Sequence, residues 1–406
     1  MHDLTGVYGV GGSPPERRLL RWQGAETTVN YPPVAMAELG AAGRLYEWWD
    51  PLFKDSSALN AAVKLPGLAA EALLVCLVLT WGGRRFGADA AAGTALAIAL
   101  NLALVLAGPV LGYIDAQMAV PAVFALAAAD AGAGWLAGTL AAVAVFTKPQ
   151  AIFVWPVIGV ILISRHRGWR PAVEAVCGAS LTSAVALLPY VARGSWANIV
   201  QALGRLATHD MLSANAANVW WIFTWILRVI DVAAEWGWWR ALSQEVRILA
   251  ISRAIALGYP NARIVGTVLV AIACGWAAWR ARRASLAKAA ALTGWSAYAY
   301  ALLAAQVHEN HLYLAVPFFA VAAGIDRRYR AMLWWVSAIF TLNLLLFYGF
   351  GRGLPSPVDR HWTGIDASVL LAFVSVGVFV WVGRRLAMDD RLSPTREARA
   401  QLSVVG

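Results

Sequence analysis

The 406 residues are 60% hydrophobic and only 14% charged, with a mean hydropathy of +0.60 and 21 tryptophans, a balance that excludes an ordinary soluble domain. The formal net charge of +10 would suit nucleic acid in a soluble chain, but here the arginines cluster at the ends of apolar runs, where they set orientation in a bilayer, so no nucleic-acid partner is expected. Cys76, Cys177 and Cys274 all lie inside apolar runs without C-x-x-C spacing, which implies neither a disulfide framework nor a zinc site. The composition predicts an all-α polytopic bundle of transmembrane helices.

Residues 1–60 are the least apolar part, with Pro14, Pro15 and four basic or acidic neighbours, then NYPPVAMAELG and YEWWDP; a loop with short interfacial helices fits, and the Trp48, Trp49 pair suits the headgroup layer. The first span covers about 61–81, and the following Arg84 and Arg85 mark its cytoplasmic end, which puts residues 1–60 outside. An outside segment of that length with no preceding helix predicts that the natural chain begins upstream, with a first helix before Met1.

Further spans are expected near 87–107, 118–131, 133–148, 149–164 and 171–192, several of them shorter than the roughly 20 residues of a straight crossing and therefore tilted, broken or re-entrant. Together, residues 61–193 form one transmembrane half. A Trp-rich segment, 194–259, is expected outside, along the membrane surface. A second half, 260–385, carries spans near 260–279, 289–305, 312–325, 331–349 and 365–383, and residues 386–406 form a cytoplasmic tail. The alternation closes at about 11 spans. The arginine clusters at the ends of the spans fall inside, while Tyr113 to Gln117, Lys148 to Gln150, Arg193 to Trp220 and His308 to His311 share the outer side.

Four stretches on that side carry polar chemistry. LGYIDAQM sets Asp115 and Gln117 at a helix mouth, where a carboxylate can orient an acceptor hydroxyl, pair with a cation or cap the next helix. FTKPQ places Lys148 and Gln150 around a proline, and the cation suits a phosphate or snorkels at a helical hairpin. THDMLSANAANVWW offers Asn215 and Asn218 beside Trp220, amides and an aromatic face as in a sugar-binding surface or simply loop chemistry. QVHENHLYLAVP brings His308, Glu309 and His311 between two apolar runs; its two histidines are three apart, so H-E-x-x-H zinc-protease spacing is not met and no metal is expected. The histidines suit a phosphate or leaving group, or an interfacial structural place. Lys64 and Glu71, seven apart, share a face of the first span and are expected to form a polar contact inside the bundle.

Taken in order, these stretches resemble the membrane glycosyltransferases of the GT-C type, and among them the polyprenyl-phosphate-sugar-dependent glucosyltransferases of lipid-linked oligosaccharide assembly and their bacterial relatives. Asn30 to Pro33 with AMAELG resembles the family's D-Y-P-P segment, GYIDAQ its acidic motif, TKPQ its K-Q turn, LPYVARGSWANIV with NVWW its P-F-x-R-G and N-x-W run, and VHENHLYLAVP its V-H-E-K stretch. The likeness covers residues 20–320. Asn30 stands where the family has aspartate.

The resemblance implies transfer of a hexose from a polyprenyl-phosphate donor to a hydroxyl on a lipid-linked or glycan acceptor, outside a bacterial inner membrane, with membrane lipids as surroundings and no cofactor or metal. It gives the donor phosphate to His308, Lys148 and Arg193, and catalytic places to Asp115 and Glu309. Gln117, Gln150, Asn215, Asn218, Trp220, Asn30 and Tyr31 fall to sugar or acceptor binding. The family's general base lies before its Y-P-P motif, which the expected upstream helix would supply; Asp3 is the nearest substitute. A polytopic transporter or lipid flippase and an inactive homologue are the alternatives, and a continuous polar path through the bilayer would favour transport.

Overall fold

A computed structural model describes residues 20–22, 25–27, 31–54, 56–166, 168–207, 209–350, 359–361 and 364–388. Among them the regular structure is helical, apart from two three-residue strands, Leu20–Trp22 and Ala25–Thr27, paired antiparallel.

Helix α1 (Pro33–Glu47) leads to α2 (Ser57–Phe86), whose limits the sequence dictates. Ser56 caps its start by accepting from the Leu59 amide, Arg84 and Arg85 sit in the last turn beside the carbonyl end, and Gly87 turns the chain away at φ +96°. Next come α3 (Ala88–Ala99) and α4 (Leu102–Val105), with a bend of 43° at the break, and a π-helical turn over Leu106–Val110. The hairpin of α5 (Asp115–Asp130) and α6 (Gly134–Thr147) follows, then a 3-10 turn, Pro149–Val154, then α7 (Trp155–Arg165) and α8 (Arg170–Ala192).

The intervening segment holds α9 (Trp196–Ala207), α10 (Val219–Trp236), α11 (Trp238–Leu242) and α12 (Ile251–Ala256). The last part comprises α13 (Ala262–Ala281), α14 (Leu286–Leu303), a 3-10 turn at Glu309–Leu312, α15 (Ala315–Ile325), α16 (Arg330–Tyr348) and α17 (Ala367–Met388).

Five helical stretches are long and apolar enough to cross a bilayer, namely α2, α8, α13, α16 with its leading turn, and α17; the bent α3–α4 pair makes a sixth. The chain is thus a multi-pass helical membrane protein. The remaining apolar segments expected from the sequence are helical but shorter. Burial separates centre from rim: 11% of the apolar window of α8 and 17% of that of α2 is buried, against 56% for α16, so α8 and α2 stand at the rim of the bundle. Helix α14 is buried from Leu286 to Leu302 but for Tyr300, as a helix apolar on every side must be, and it packs against α13, α15 and α17.

The bundle has two chemically distinct ends. At one, Asp130 accepts from Arg85 Nε at 3.0 Å and from Arg165, Arg165 also reaches the Ala284 carbonyl, and the His166 ring meets the Ala129 carbonyl. That clamp ties α2, α5, α7 and the α13–α14 turn together. The other end carries the polar groups of the candidate site.

Two sequence expectations are corrected. Lys64 and Glu71 are not partners of each other. Lys64 Nζ donates to the Val110 carbonyl at 2.5 Å, and Glu71 accepts from the Tyr313 hydroxyl at 3.1 Å. The π-helical turn rearranges its backbone bonding and leaves the Val110 carbonyl as a nearby acceptor, and the lysine takes it. Nor does the whole of 194–259 lie on the surface. Leu212, Ser213, Ala214, Ala216 and Asn218 are buried, because the Leu212 carbonyl accepts from the Gln306 amide, the Ala214 amide donates to Val307 and the Ala217 amide donates to Asn343.

Helices α6 and α8 touch through backbone. A Cβ on Gly138 would lie 1.8 Å from the Ala175 carbonyl oxygen, one on Gly134 2.1 Å from that of Pro171, and one on Gly178 2.4 Å from that of Trp135. This is the small-residue packing by which membrane helices approach without a hydrophobic drive between them. Gly138→Ala is expected to lower stability by at least about 2 kcal/mol, since neither backbone can give way. Gly159→Ala and Gly275→Ala, with nothing within 4 Å, are the controls, expected to leave the melting temperature in detergent unchanged.

Candidate functional site

The bend between α3 and α4 and the π-helical turn bring Tyr113 and Asp115 to the mouth of the bundle at the start of α5. Asp115 is fully buried and does not cap its own helix. Its Oδ1 accepts from Lys148 Nζ at 2.8 Å and from Gln150 Nε2 at 3.2 Å, and its Oδ2 accepts from Asn310 Nδ2 at 2.7 Å. Three separate stretches therefore meet on one carboxylate: the head of α5, the proline turn after α6 and the 3-10 turn after α14. The turn after α6 is fixed by Pro149, which ends the helix and brings Lys148 and Gln150 to the same side.

Asn310 is a partner the sequence reading missed. In H-E-N-H it stands between the two residues that attract attention, yet the 3-10 geometry of Glu309–Leu312 turns its amide to Asp115. His311 stacks on Tyr300, whose hydroxyl lies 3.3 Å from its Nδ1, and Tyr300 stacks in turn on Phe153 at 4.3 Å. Desolvation holds the His311 pKa well below the ordinary value, with Lys148 and His308 adding to the effect.

Beside this network lies a second carboxylate. Glu309 is buried, its Oε1 accepts from the Tyr113 hydroxyl, and its Oε2 has no hydrogen-bond partner among the described residues. His308 Nδ1 stands 3.9 Å from that free oxygen, and the hydroxyl of Tyr348 interacts with both Glu309 and Tyr113. Desolvation and the adjacent Glu309 charge raise the Tyr113 pKa far above the usual phenol range, so it stays a donor. Neither tyrosine was singled out from sequence. Glu309 and His308 line a small cleft, with Asn343, Tyr298 and Ser375 on its other walls.

His308 is the outermost of these groups, its side chain 42% exposed. Desolvation lowers its pKa; Glu309 opposes this, and His209 and Lys148 reinforce it, leaving the ring below its ordinary value. Its backbone bridges Ala214 and Asn215, and Asn215, at φ +58°, points its amide to the Tyr348 hydroxyl at 3.5 Å.

The other sequence-selected residues stand elsewhere. Asn218 Oδ1 caps α10 by accepting from the Trp221 amide at 2.9 Å, its Nδ2 has no partner among the described residues, and the buried Trp220 indole donates to the Leu303 carbonyl at 2.7 Å. Helix start and helix packing use both. Gln117 is buried on α5, its Oε1 without a partner among the described residues. Arg193 is the exposed C-cap of α8, and Tyr31 is exposed just before α1. Asp3 and Asn30 lie outside the described residues.

Among the described residues no group of three or more His, Cys, Asp or Glu is arranged to hold a metal ion. Cationic and neutral nitrogen donors (Lys148, His308) and one unsatisfied carboxylate oxygen converge at one end of the bundle, which equips it to bind an anion and accept a proton side by side. Comparison with protein-family models and with curated proteins finds no match to this chain.

Proposed function

We propose that the protein is an integral-membrane glycosyltransferase, moving a hexose from a polyprenyl-phosphate donor to a hydroxyl of a lipid-linked or glycan acceptor. The observation that carries this reading is the convergence of Glu309, whose Oε2 has no hydrogen-bond partner among the described residues, and His308 at 3.9 Å, at the end of the bundle opposite the Asp130–arginine clamp. By the positive-inside rule the arginine end is cytoplasmic and the site extracytoplasmic, and a bacterial inner membrane is the setting.

In the reaction, the acceptor oxygen attacks the anomeric carbon as the bond from that carbon to the phosphate oxygen breaks. The hydroxyl proton passes to Glu309 Oε2, and the lipid phosphate leaves carrying the electron pair of the broken bond, with His308 facing its growing charge. Asp115 has both oxygens engaged, and in this reading it is a positioning residue that holds Lys148 and the Asn310 turn at the mouth.

The test is transfer by the purified protein in vesicles, from a polyprenyl-phosphate hexose to a hydroxyl acceptor. His308→Ala is expected to reduce the rate by on the order of a hundredfold, as for loss of one charge-stabilising donor. Undiminished transfer by that variant would remove His308 from the site, and no transfer by the unaltered protein with any such donor would remove the reading itself.

A further inference from the structure

A third histidine stands beside His308. His209 lies in the loop between α9 and α10, and its ring centroid is 6.5 Å from that of His308, with the planes at 70°. Its backbone is held firmly, because its carbonyl accepts from Arg263 Nη2 at 2.8 Å and from the Gln306 side chain. The loop is then laced to the 304–308 segment through Leu212, Ala214 and the bridges to His308. The ring itself makes no hydrogen bond to any described residue. The fold thus holds the His209 carbonyl with two donors and spends none of its ring donors on the described residues.

We propose that His209 and His308 form a two-imidazole clamp for the lipid-carrier phosphate, a phosphodiester in the donor and a phosphomonoester once it has left the sugar, one ring from each of two laced loops. The inference rests on the transferase reading above and adds to it a second phosphate contact. Two rings at this separation reach different oxygens of one phosphate, whose oxygens are themselves about 2.5 Å apart, and ring N–H groups donate to phosphate with charge-assisted strength. Without an anion between them, His209 disfavours protonation of His308. With the dianionic phosphomonoester of the departed lipid carrier between them protonation is favoured, so its binding takes up a proton.

The charged surroundings agree. His308 is faced by Glu309, which favours its protonation, and by His209 and Lys148, which oppose it, with His311 beyond at 5.7 Å between ring centroids. His209 is faced by the Arg263 guanidinium on its own carbonyl, and the neighbouring Asp210 is occupied by Ser252. Lys148 donates to Asp115 at 2.8 Å, and the rings of His209 and His308 add further nitrogen donors at the mouth. His308, with its pKa held below the ordinary value, is largely neutral at pH 7 in the empty protein, and the phosphate charge is what protonates it.

The experiment is equilibrium binding of a soluble ten-carbon prenyl phosphate to the full-length protein in detergent, at pH 7 and pH 8. For the unaltered protein, Kd is expected to rise about tenfold over that unit, the signature of one proton taken up. His209→Gln is expected to weaken binding at pH 7 by at least about tenfold, the loss of a hydrogen bond to a charged group. Its thermal melt should not change, since backbone and not ring bonds hold the loop. His209→Lys is expected to retain binding and to flatten its pH dependence, because lysine stays charged through pH 8.

A glutamine variant that binds within twofold of the unaltered protein, while His308→Gln weakens binding, would overturn the clamp and leave the transferase reading standing. A lysine variant as weak as the glutamine one would assign the effect to loop packing and overturn it equally. Failure of the unaltered protein to bind the prenyl phosphate would overturn both.

Discussion

Asp115→Ala is expected to destabilise the protein by about 3–5 kcal/mol, the range for breaking a buried ion pair from one side. The Lys148 side chain is 10% exposed and that of Asp115 0%, so the lysine left behind would be an uncompensated charge at the mouth of an apolar bundle. The same deletion strips Gln150 and Asn310 of their acceptor, and with them the contact that joins the α6–α7 turn to the 309–312 turn. Thermal unfolding in detergent reads the loss directly. The double variant Asp115→Ala with Lys148→Met is expected to be more stable than Asp115→Ala alone, because the stranded charge is gone. A double variant no better than the single would place the cost in the lost Asn310 contact and not in the charge.

That network also shows where the sequence is legible and where it stops. The helical segments could be read because hydropathy, arginine clusters and capping residues such as Ser56 and Asn261 act locally, within a turn of where they stand. Asp115, Lys148, Gln150, His308 and Glu309 stood out because ionisable and amide groups at the ends of apolar runs are costly there without a partner. Their pairing was not legible. It depends on the bend at Asn101 and the π turn at 106–110, which redirect the chain before α5, and on a 3-10 turn that points Asn310 rather than His311 at Asp115.

The misreadings have the same origin. Lys64 and Glu71 share a helix face, but the neighbouring carbonyl of Val110 and hydroxyl of Tyr313 outcompete a mutual contact. Asn218 and Trp220 look like carbohydrate-binding residues by type, and only the fold shows one as a cap and the other as core. Tyr113, Tyr348 and His209 have no local signal at all. Two are aromatics at the edges of apolar runs and one lies in a polar loop, and long-range packing alone gives them their neighbours.

Glu309→Gln is expected to lower the transfer rate by on the order of a thousandfold, within the range for losing a general base. Asp115 has both oxygens bound, whereas Glu309, which lines the cleft, keeps Oε2 without a partner among the described residues. The amide preserves shape and still accepts from Tyr113, so the protein should fold and bind donor; kcat should fall while the donor KM stays within a few fold. Tyr113→Phe separates positioning from chemistry. It removes the donor on Oε1 and leaves the proton acceptor in place, so its loss should be about tenfold, as for one hydrogen bond to a charged group. The pattern to measure is therefore kcat for Glu309→Gln far below that for Tyr113→Phe, with donor KM little changed in both. A Glu309→Gln protein that transfers within tenfold of the unaltered rate would show that the acceptor proton goes to another group.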